Sequence, residues 1–541
     1  MEKITDDIVL FREHGKMAVR LDPTQARIAK TVPGMEFIHR GADAFFLFPW
    51  SEDSCMFVNN LGVDATLAAP FLFQNSTPLV EGKYKPMTHQ LFTAAFMTIN
   101  PRCHVLNDPR TGKTGSLILG ADYLRRQRYV RGGWLIITTV TTMPSVWGDA
   151  IRQTLPDCVV SIVHGKNREG VLEKPADFYI TNYDSCRLSE AAFVKAVRDG
   201  RIGGVIIDEM THIGNSTSKR HKAIDSICNK TGLKYVIGAT GSPGENPETV
   251  YGMCKLVNKA KLPCQTKTAW MNMVTFQYGP EPFMRKPTVH APEIIFNSMQ
   301  PAVRFNKADI IDLPPVTTQD RYCALSKEQE RVRSEFKTAA IALMDSGETV
   351  TAANGGVLFG KLMQAAQGFV MTNDGKPVEI EHEERTRAIV DAIGETNRKV
   401  VIFCCYRATI EMRRKELEAA GYTVGVVDGS IKGEERARIL HDFQNKKDPH
   451  VIVCHPTTVA FGTEMSAADT MVFDGPPALG GFIYAQALER LSSAKQTASN
   501  INIIRICATP EERKAYAGLD AGKVTGQFVS SLFEDFARGV L

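Results

Sequence analysis

From about residue 100 onward, short apolar runs alternate with longer stretches whose apolar positions recur at helical spacing. A first set of runs reads "HVLND", "WLIITTV", "DFYITNYD", "GGVIIDE" and "KYVIGATG". A second reads "KVVIFCCY", "TVGVVDG", "HVIVCHP", "DTMVFDG" and "INIIRIC". These runs are continuously apolar rather than alternating and rich in β-branched residues, the pattern of strands buried on both faces of a parallel sheet. Between them, "ATIEMRRKELEAAG" and "GEERARILHDFQ" have helical periodicity, and the first ends at Gly421, the residue type a helix C-terminus favours. Two such series predict an α/β protein with two doubly wound parallel-sheet lobes and ligands at the carboxyl ends of the strands. Residues 1–80 follow neither rhythm and are expected to form a small α+β module. The first lobe is expected over 81–290, the second over 291–508 and a helical tail over 509–541.

A chain of 541 residues is too long for one core, which agrees with several domains. With 64 basic and 60 acidic residues the formal charge is only +4, so any nucleic-acid surface must be a local patch. No apolar run approaches a membrane span, and the start "MEKITDDIVLFREHGK" lacks a signal-peptide profile, so a cytoplasmic protein is expected. The twelve cysteines include no C-x-x-C pair, which argues for reduced thiols rather than a structural zinc site.

The chemistry concentrates in "VLNDPRTGKTGSLIL", residues 105–119. A strand runs into a turn and then a helix, the context in which backbone N–H groups and the helix dipole hold an anion. Arg110, Thr111, Gly112, Lys113, Thr114 and Gly115 would form such a phosphate loop. Lys113 would reach the β- and γ-phosphates of ATP, and the Thr114 hydroxyl would ligate Mg2+. The alternative is an ordinary strand–turn–helix. Further on, "GGVIIDEMTHIGN" ends an apolar strand with Asp208 and Glu209. Paired carboxylates at a buried strand tip are costly unless a charge sits against them. A magnesium ion held through Asp208, with Glu209 polarising the attacking water, accounts for both residues; a helix N-cap accounts only for Asp208.

In this order the motifs resemble those of a superfamily 2 helicase-like ATPase, most similar to the Swi/Snf-type DNA translocases, over residues 85 to about 510. "YKPMTHQ" is similar to the family's adenine-recognising motif and implies Gln90 on the base. "PSVW" and "ITNYD" look like motifs Ia and Ib, and "TGSPGEN" like the motif that couples ATP to DNA, with Thr240 and Ser242 in place. "FGTEMSAADT" resembles motif V, which would set Gly462 and Glu464 on the nucleotide, and "QALERLSSAKQ" resembles motif VI, with Gln486 coupling and Arg490 on ATP. The resemblance implies two RecA-like lobes with ATP between them. It also implies a largely sequence-independent DNA path past Thr138, Pro144, Trp147, Asn182, Thr457 and Thr458. Hydrolysis would then involve Lys113, Asp208, Glu209 and Arg490.

The chain departs from the family pattern at several of these positions. Asn107 and Arg110 replace residues that are usually acidic and glycine, so a differently shaped loop is expected. Thr211 takes the place of the usual histidine, with His212 one later, and Glu464 replaces an asparagine or aspartate. Ser493 stands at the usual arginine finger, which leaves Arg490, three residues away and roughly on the same face if this segment is helical, to carry the γ-phosphate contact, with Lys495 nearby. The start, "RLDPTQARIAKTVPGMEFIHRGADAFFLFPW", has the cadence of a HARP-like DNA-binding module. Phe45, Phe46, Phe48 and Trp50 are either stacking aromatics for unpaired bases or core residues of a small sheet. The resulting expectation is an ATP-dependent translocase or helicase on duplex, forked or single-stranded DNA in replication or recombination, as in compact bacterial and bacteriophage relatives. An RNA helicase, or an ATP-binding scaffold with little turnover, is the alternative.

Overall fold

The computed structural model describes residues 2–30, 35–40, 43–73, 85–140, 142–241, 247–279, 285–310, 314–345, 352–372, 374–431, 433–459, 464–477, 481–492 and 496–521. They form two compact units, Met1–Ile311 and Asp312–Leu541. Each unit is built on a wholly parallel sheet. In the first, seven strands lie in the order Ala302–Val303, Arg102–Val105, Tyr235–Ala239, Ile202–Asp208, Gly133–Thr138, Phe178–Asn182 and Val160–Val163. In the second, six lie in the order Val316–Tyr322, Ile501–Cys507, Ala468–Phe473, Lys399–Phe403, Val451–Cys454 and Val424–Val427.

The continuous apolar runs exist because each central strand feeds two cores. Trp134 and Ile136 point into one core of the first unit, Leu135 and Ile137 into the other. In the second unit Val401 and Phe403 face one core, Val400 and Ile402 the other. A two-residue side-chain period with both faces covered demands an apolar residue at every position. Gly204 is one exception: a Cβ there would lie 2.7 Å from the Trp134 ring.

Residues 2–60 form a five-stranded antiparallel sheet followed by the Glu52–Asn60 helix. This layer shares its core with the first lobe. Phe46, Phe48 and Phe71 cluster with Ala94, Leu117 and Tyr123, which lie on the Thr88–Ile99 and Lys113–Arg126 helices. Glu52, only 4% exposed, accepts hydrogen bonds from Tyr123 Oη and from Tyr129 Oη at 2.9 Å. Burial, reinforced by that carboxylate, raises both phenols above their usual range and keeps them donors.

One boundary differs from the sequence reading. The first unit runs on past residue 290, because Ala302–Val303 pairs with Arg102–Val105 and adds an edge strand. In the C-terminal segment the Pro510–Asp520 helix buries Tyr516 in the second core. Residues 522–541 lie outside the described residues. No helix among the described residues is long and apolar enough to cross a membrane.

The second unit also encloses a charged knot. Asp474, at the carboxyl end of the Ala468–Phe473 strand, accepts from Arg385 Nε at 2.9 Å and Arg413 Nε at 3.1 Å, and all three are buried. Arg385 also reaches Glu512 at 2.6 Å, and Arg413 pairs with Glu416, which His382 meets at 2.6 Å. Burial works against the charge on Arg385, yet Glu512 and Asp474 hold it well above the ordinary guanidinium range. Removing the central carboxylate leaves two buried guanidiniums short of an anion. Asp474→Asn is therefore expected to cost about 3–5 kcal/mol, read as a fall in the urea midpoint of the second unit's unfolding transition.

Candidate active site

The first unit's sheet sends its polar residues to its carboxyl edge, and the candidate site forms there. After the Arg102–Val105 strand, residues 106–112 turn into the Lys113–Arg126 helix. Gly112 (φ +77°) and Arg110 (φ +68°) both adopt the left-handed conformation. Lys113 Nζ folds back to donate to Asn107 O at 2.7 Å and Asp108 O at 3.0 Å. Burial lowers its pKa, and the charges of Glu209, Asp208 and Asp108 oppose that shift. Thr111 is buried, with Oγ1 on Asp108 O at 2.9 Å, while Thr114 and Gly115 are half-buried in the helix's first turn.

Asn107 explains how the loop tolerates losing its usual residue there. Its side chain is fully buried, donating to Thr93 Oγ1 at 2.9 Å and accepting from Phe305 N at 3.0 Å. Neighbouring Asp108 accepts from Lys307 N at 3.0 Å. The loop base is thus clamped between the Thr88–Ile99 helix and the segment after the edge strand. From that helix His89 Nε2 meets Thr111 O at 2.8 Å, and Gln90 Nε2 donates to Thr111 O at 3.3 Å. Gln90 Oε1 accepts from Met87 N at 2.8 Å, so this glutamine braces the loop backbone.

Asp208 ends the Ile202–Asp208 strand. Its Oδ2 accepts from Trp147 Nε1 at 2.8 Å and Thr138 Oγ1 at 3.1 Å, and its Oδ1 from Glu209 N at 3.1 Å. Glu209 takes a left-handed φ of +53°, a costly conformation for a non-glycine residue, of the kind that clusters at functional sites. The Tyr183 hydroxyl bridges the Asp208 carbonyl and, at 3.1 Å, the Glu209 carbonyl, fixing the strained turn. On the other flank Thr240 N donates to Val105 O at 3.1 Å, and a Cβ on Gly241 would lie 2.8 Å from the Pro109 ring, so the start of "TGSPGEN" abuts the 106–112 turn. Ser242 lies outside the described residues.

Of the residues expected along a DNA path, Thr138 and Trp147 are fully buried with their polar atoms on Asp208. Asn182 is 6% exposed and caps the Tyr183–Leu188 helix through Ser185 N. These three shape the site from within, whereas Pro144 is exposed. Trp50 donates Nε1 to Ala68 O at 2.8 Å and packs edge-on to Phe73.

In the second unit, Thr457 and Thr458 sit just beyond the Val451–Cys454 strand, where both bond His455 and Thr458 also bonds Val427 O. Glu464 Oε1 accepts from Ser466 N at 3.3 Å. Arg490 is buried, with Nε on Gln486 O at 2.8 Å and Nη2 on Gln486 Oε1 at 3.2 Å. The helix carrying Gln486 ends at Leu488, so Arg490 lies past it. Gly462, Ser493 and Lys495 lie outside the described residues.

A family model described as the SNF2-related domain matches residues 89–367, and one for the helicase conserved C-terminal domain matches 384–495. The chain belongs to the SNF2-related family. A curated relative, chromodomain-helicase-DNA-binding protein 1-like from Danio rerio, is 22% identical over 394 residues, covering 69% of this chain. The chain spans 36% of that protein's length. Two solved Sulfolobus solfataricus structures, a SWI2/SNF2 ATPase core in complex with dsDNA and the core domain, are each 18% identical. Their TM-scores are 0.39 and 0.38, over 84% and 83% of this chain and 94% and 91% of theirs.

This SNF2-related chain keeps a glycine-like backbone at Arg110 although an arginine stands there, at a cost of roughly 1–2 kcal/mol for a left-handed residue. Thr93, Phe305 and Tyr183 were not singled out from sequence as parts of the site. Phe305 has no local signal at all, since it meets Asn107 from 198 residues away. Gly112 is the tightest point, because a Cβ there would stand 1.9 Å from Gln90 Nε2. Gly112→Ala is expected to displace Gln90 and strain the loop, weakening ATP binding at least about tenfold in an equilibrium titration. Arg110→Gly should bind ATP as the parent does.

Proposed function

We propose that this chain is an ATP- and magnesium-dependent DNA translocase acting on duplex or forked DNA in replication or recombination. The observation that carries the reading is the Lys113 ammonium, held on loop carbonyls and under the field of Asp208 and Glu209, at the carboxyl edge of an SNF2-related sheet. The lysine is held in place for phosphate oxygens, with the nearby carboxylates favouring its ammonium form against burial, and the N–H groups of the following helix turn suit the same anion.

The site's donors suit magnesium. Asp208 Oδ2 has two partners and Oδ1 one, which leaves acceptor capacity on Oδ1, and the hard hydroxyl of Thr114 stands in the first helix turn. Thr114 and Asp208 would hold the ion, which when bound neutralises charge on the β- and γ-phosphates. Glu209, presented by its left-handed turn, orients and polarises the attacking water. Tyr183 keeps that turn closed. DNA is engaged through its phosphates, so binding is largely independent of sequence and weakens with salt.

Lys113→Ala should lower DNA-stimulated ATP turnover by at least about a hundredfold with an unchanged circular dichroism spectrum. Glu209→Gln should retain ATP binding and stall hydrolysis. Steady-state hydrolysis that DNA does not stimulate in the parent chain would overturn the reading. In the second unit Arg490 is the residue proposed to offset γ-phosphate charge, and Arg490→Ala is expected to approach the Lys113→Ala defect in the same assay.

A further inference from the structure

Of the aromatic side chains that the N-terminal sequence offers for stacking, two are turned into the core, and half-buried Phe45 lies under the Arg20 guanidinium. Phe46 and Phe48 are each 1% exposed, and Trp50 is tied to Ala68. The first unit exposes other aromatics, on a two-stranded antiparallel hairpin, Thr275–Gln277 against Arg285–Pro287. In its register Phe276 lies opposite Lys286 and Gln277 opposite Arg285. Successive residues alternate faces, so Phe276 and Lys286 share one face and Thr275, Gln277 and Arg285 the other.

The second face is the anchored one. Arg285 donates to Thr275 Oγ1 at 2.7 Å, Asn272 Oδ1 at 2.8 Å and Met271 O at 3.2 Å. The preceding Lys267–Val274 helix is held by Trp270, which is buried with Nε1 on Pro247 O at 2.8 Å. On the first face Phe276 remains 49% and Tyr278 47% exposed, and Lys286 Nζ stands 4.6 Å from the Tyr278 ring centroid. A fixed base therefore presents two half-exposed rings with a cation beside them. The surrounding sequence is strongly one-signed: residues 255–290 hold six basic residues and one acidic one, in a chain whose net charge is only +4.

We infer that this hairpin face is a stacking site for the unpaired bases of single-stranded DNA. Exposed aromatic faces beside cations match what a single strand offers, namely π-faces and phosphates at every residue. Duplex DNA keeps its base faces covered by stacking and cannot use them. A second copy of the same face would bring like charges together, which disfavours self-association through it. The choice of DNA over RNA rests on the translocase reading; the stacking geometry does not.

The test compares full-length parent with Phe276→Ala/Tyr278→Ala, by fluorescence anisotropy without nucleotide, on a labelled oligo-dT strand and on a blunt duplex of equal length. Both side chains are exposed, and unchanged circular dichroism and thermal midpoint confirm the fold. Binding to the strand should fall by about tenfold or more while duplex binding is retained. A Phe276→Trp/Tyr278→Trp variant should keep strand affinity, and Lys286→Ala should lessen the salt dependence of strand binding by about 0.7 in log–log slope. The inference is overturned if the parent does not bind the strand, or if the double alanine variant stays within about twofold of it. Equal loss on strand and duplex, or a dimer in the parent that the variant dissolves, overturns it as well. If DNA fails to stimulate ATP hydrolysis, the translocase reading falls while this binding comparison keeps its own outcome.

Discussion

Strands covered on both faces leave polar side chains nowhere to go but their ends. That constraint organises the first unit. Gly133–Thr138, Phe178–Asn182 and Tyr235–Ala239 are buried at every residue, and Asn107, Thr138, Asn182, Asp208 and Thr240 gather where strands stop. Unpaired polar groups there would be costly, so each is answered by a neighbour: Thr93 for Asn107, Trp147 and Thr138 for Asp208, Ser185 for Asn182. The same edge that satisfies them concentrates the chemistry.

The second unit meets the constraint differently. At the end of its Ala468–Phe473 strand it buries Asp474 outright and compensates with Arg385 and Arg413. Those arginines come from the Glu383–Gly394 and Arg407–Ala419 helices, and Glu512 adds the Pro510–Asp520 helix. A network with planar guanidiniums and several required partners tolerates few alternative packings, so it specifies how these helices seat on the sheet more than it adds stability.

Much of this was legible in the sequence. The central strands of both sheets announce themselves as continuous apolar runs, and the glycine–lysine–threonine turn and paired acids stand at their ends. Not every edge strand showed. Val316–Tyr322 is mostly exposed and polar, and Ala302–Val303 is too short to carry a period. The charged knot was hidden for a related reason. Arg413 is buried while Arg414, its neighbour, pairs with Glu411 and Glu418 at the surface, and nothing in "EMRRKELE" distinguishes them. Asn107 was visible as a departure, but its clamp to Phe305 depends on chain folding back across most of the lobe.

The N-terminal sheet has no closed interior of its own. Phe71, in the turn that follows the layer's helix, stands edge-on to Tyr123 at 5.2 Å, and Glu52 is satisfied by phenols of the neighbouring layer. The helix that receives these contacts is the one that begins at Lys113. A lineage could not exchange this front layer for another without also rewriting the outer surface of that helix. Removing the layer would uncover Tyr123 and the apolar face of that helix, so the lobe's own core is complete only with the layer in place.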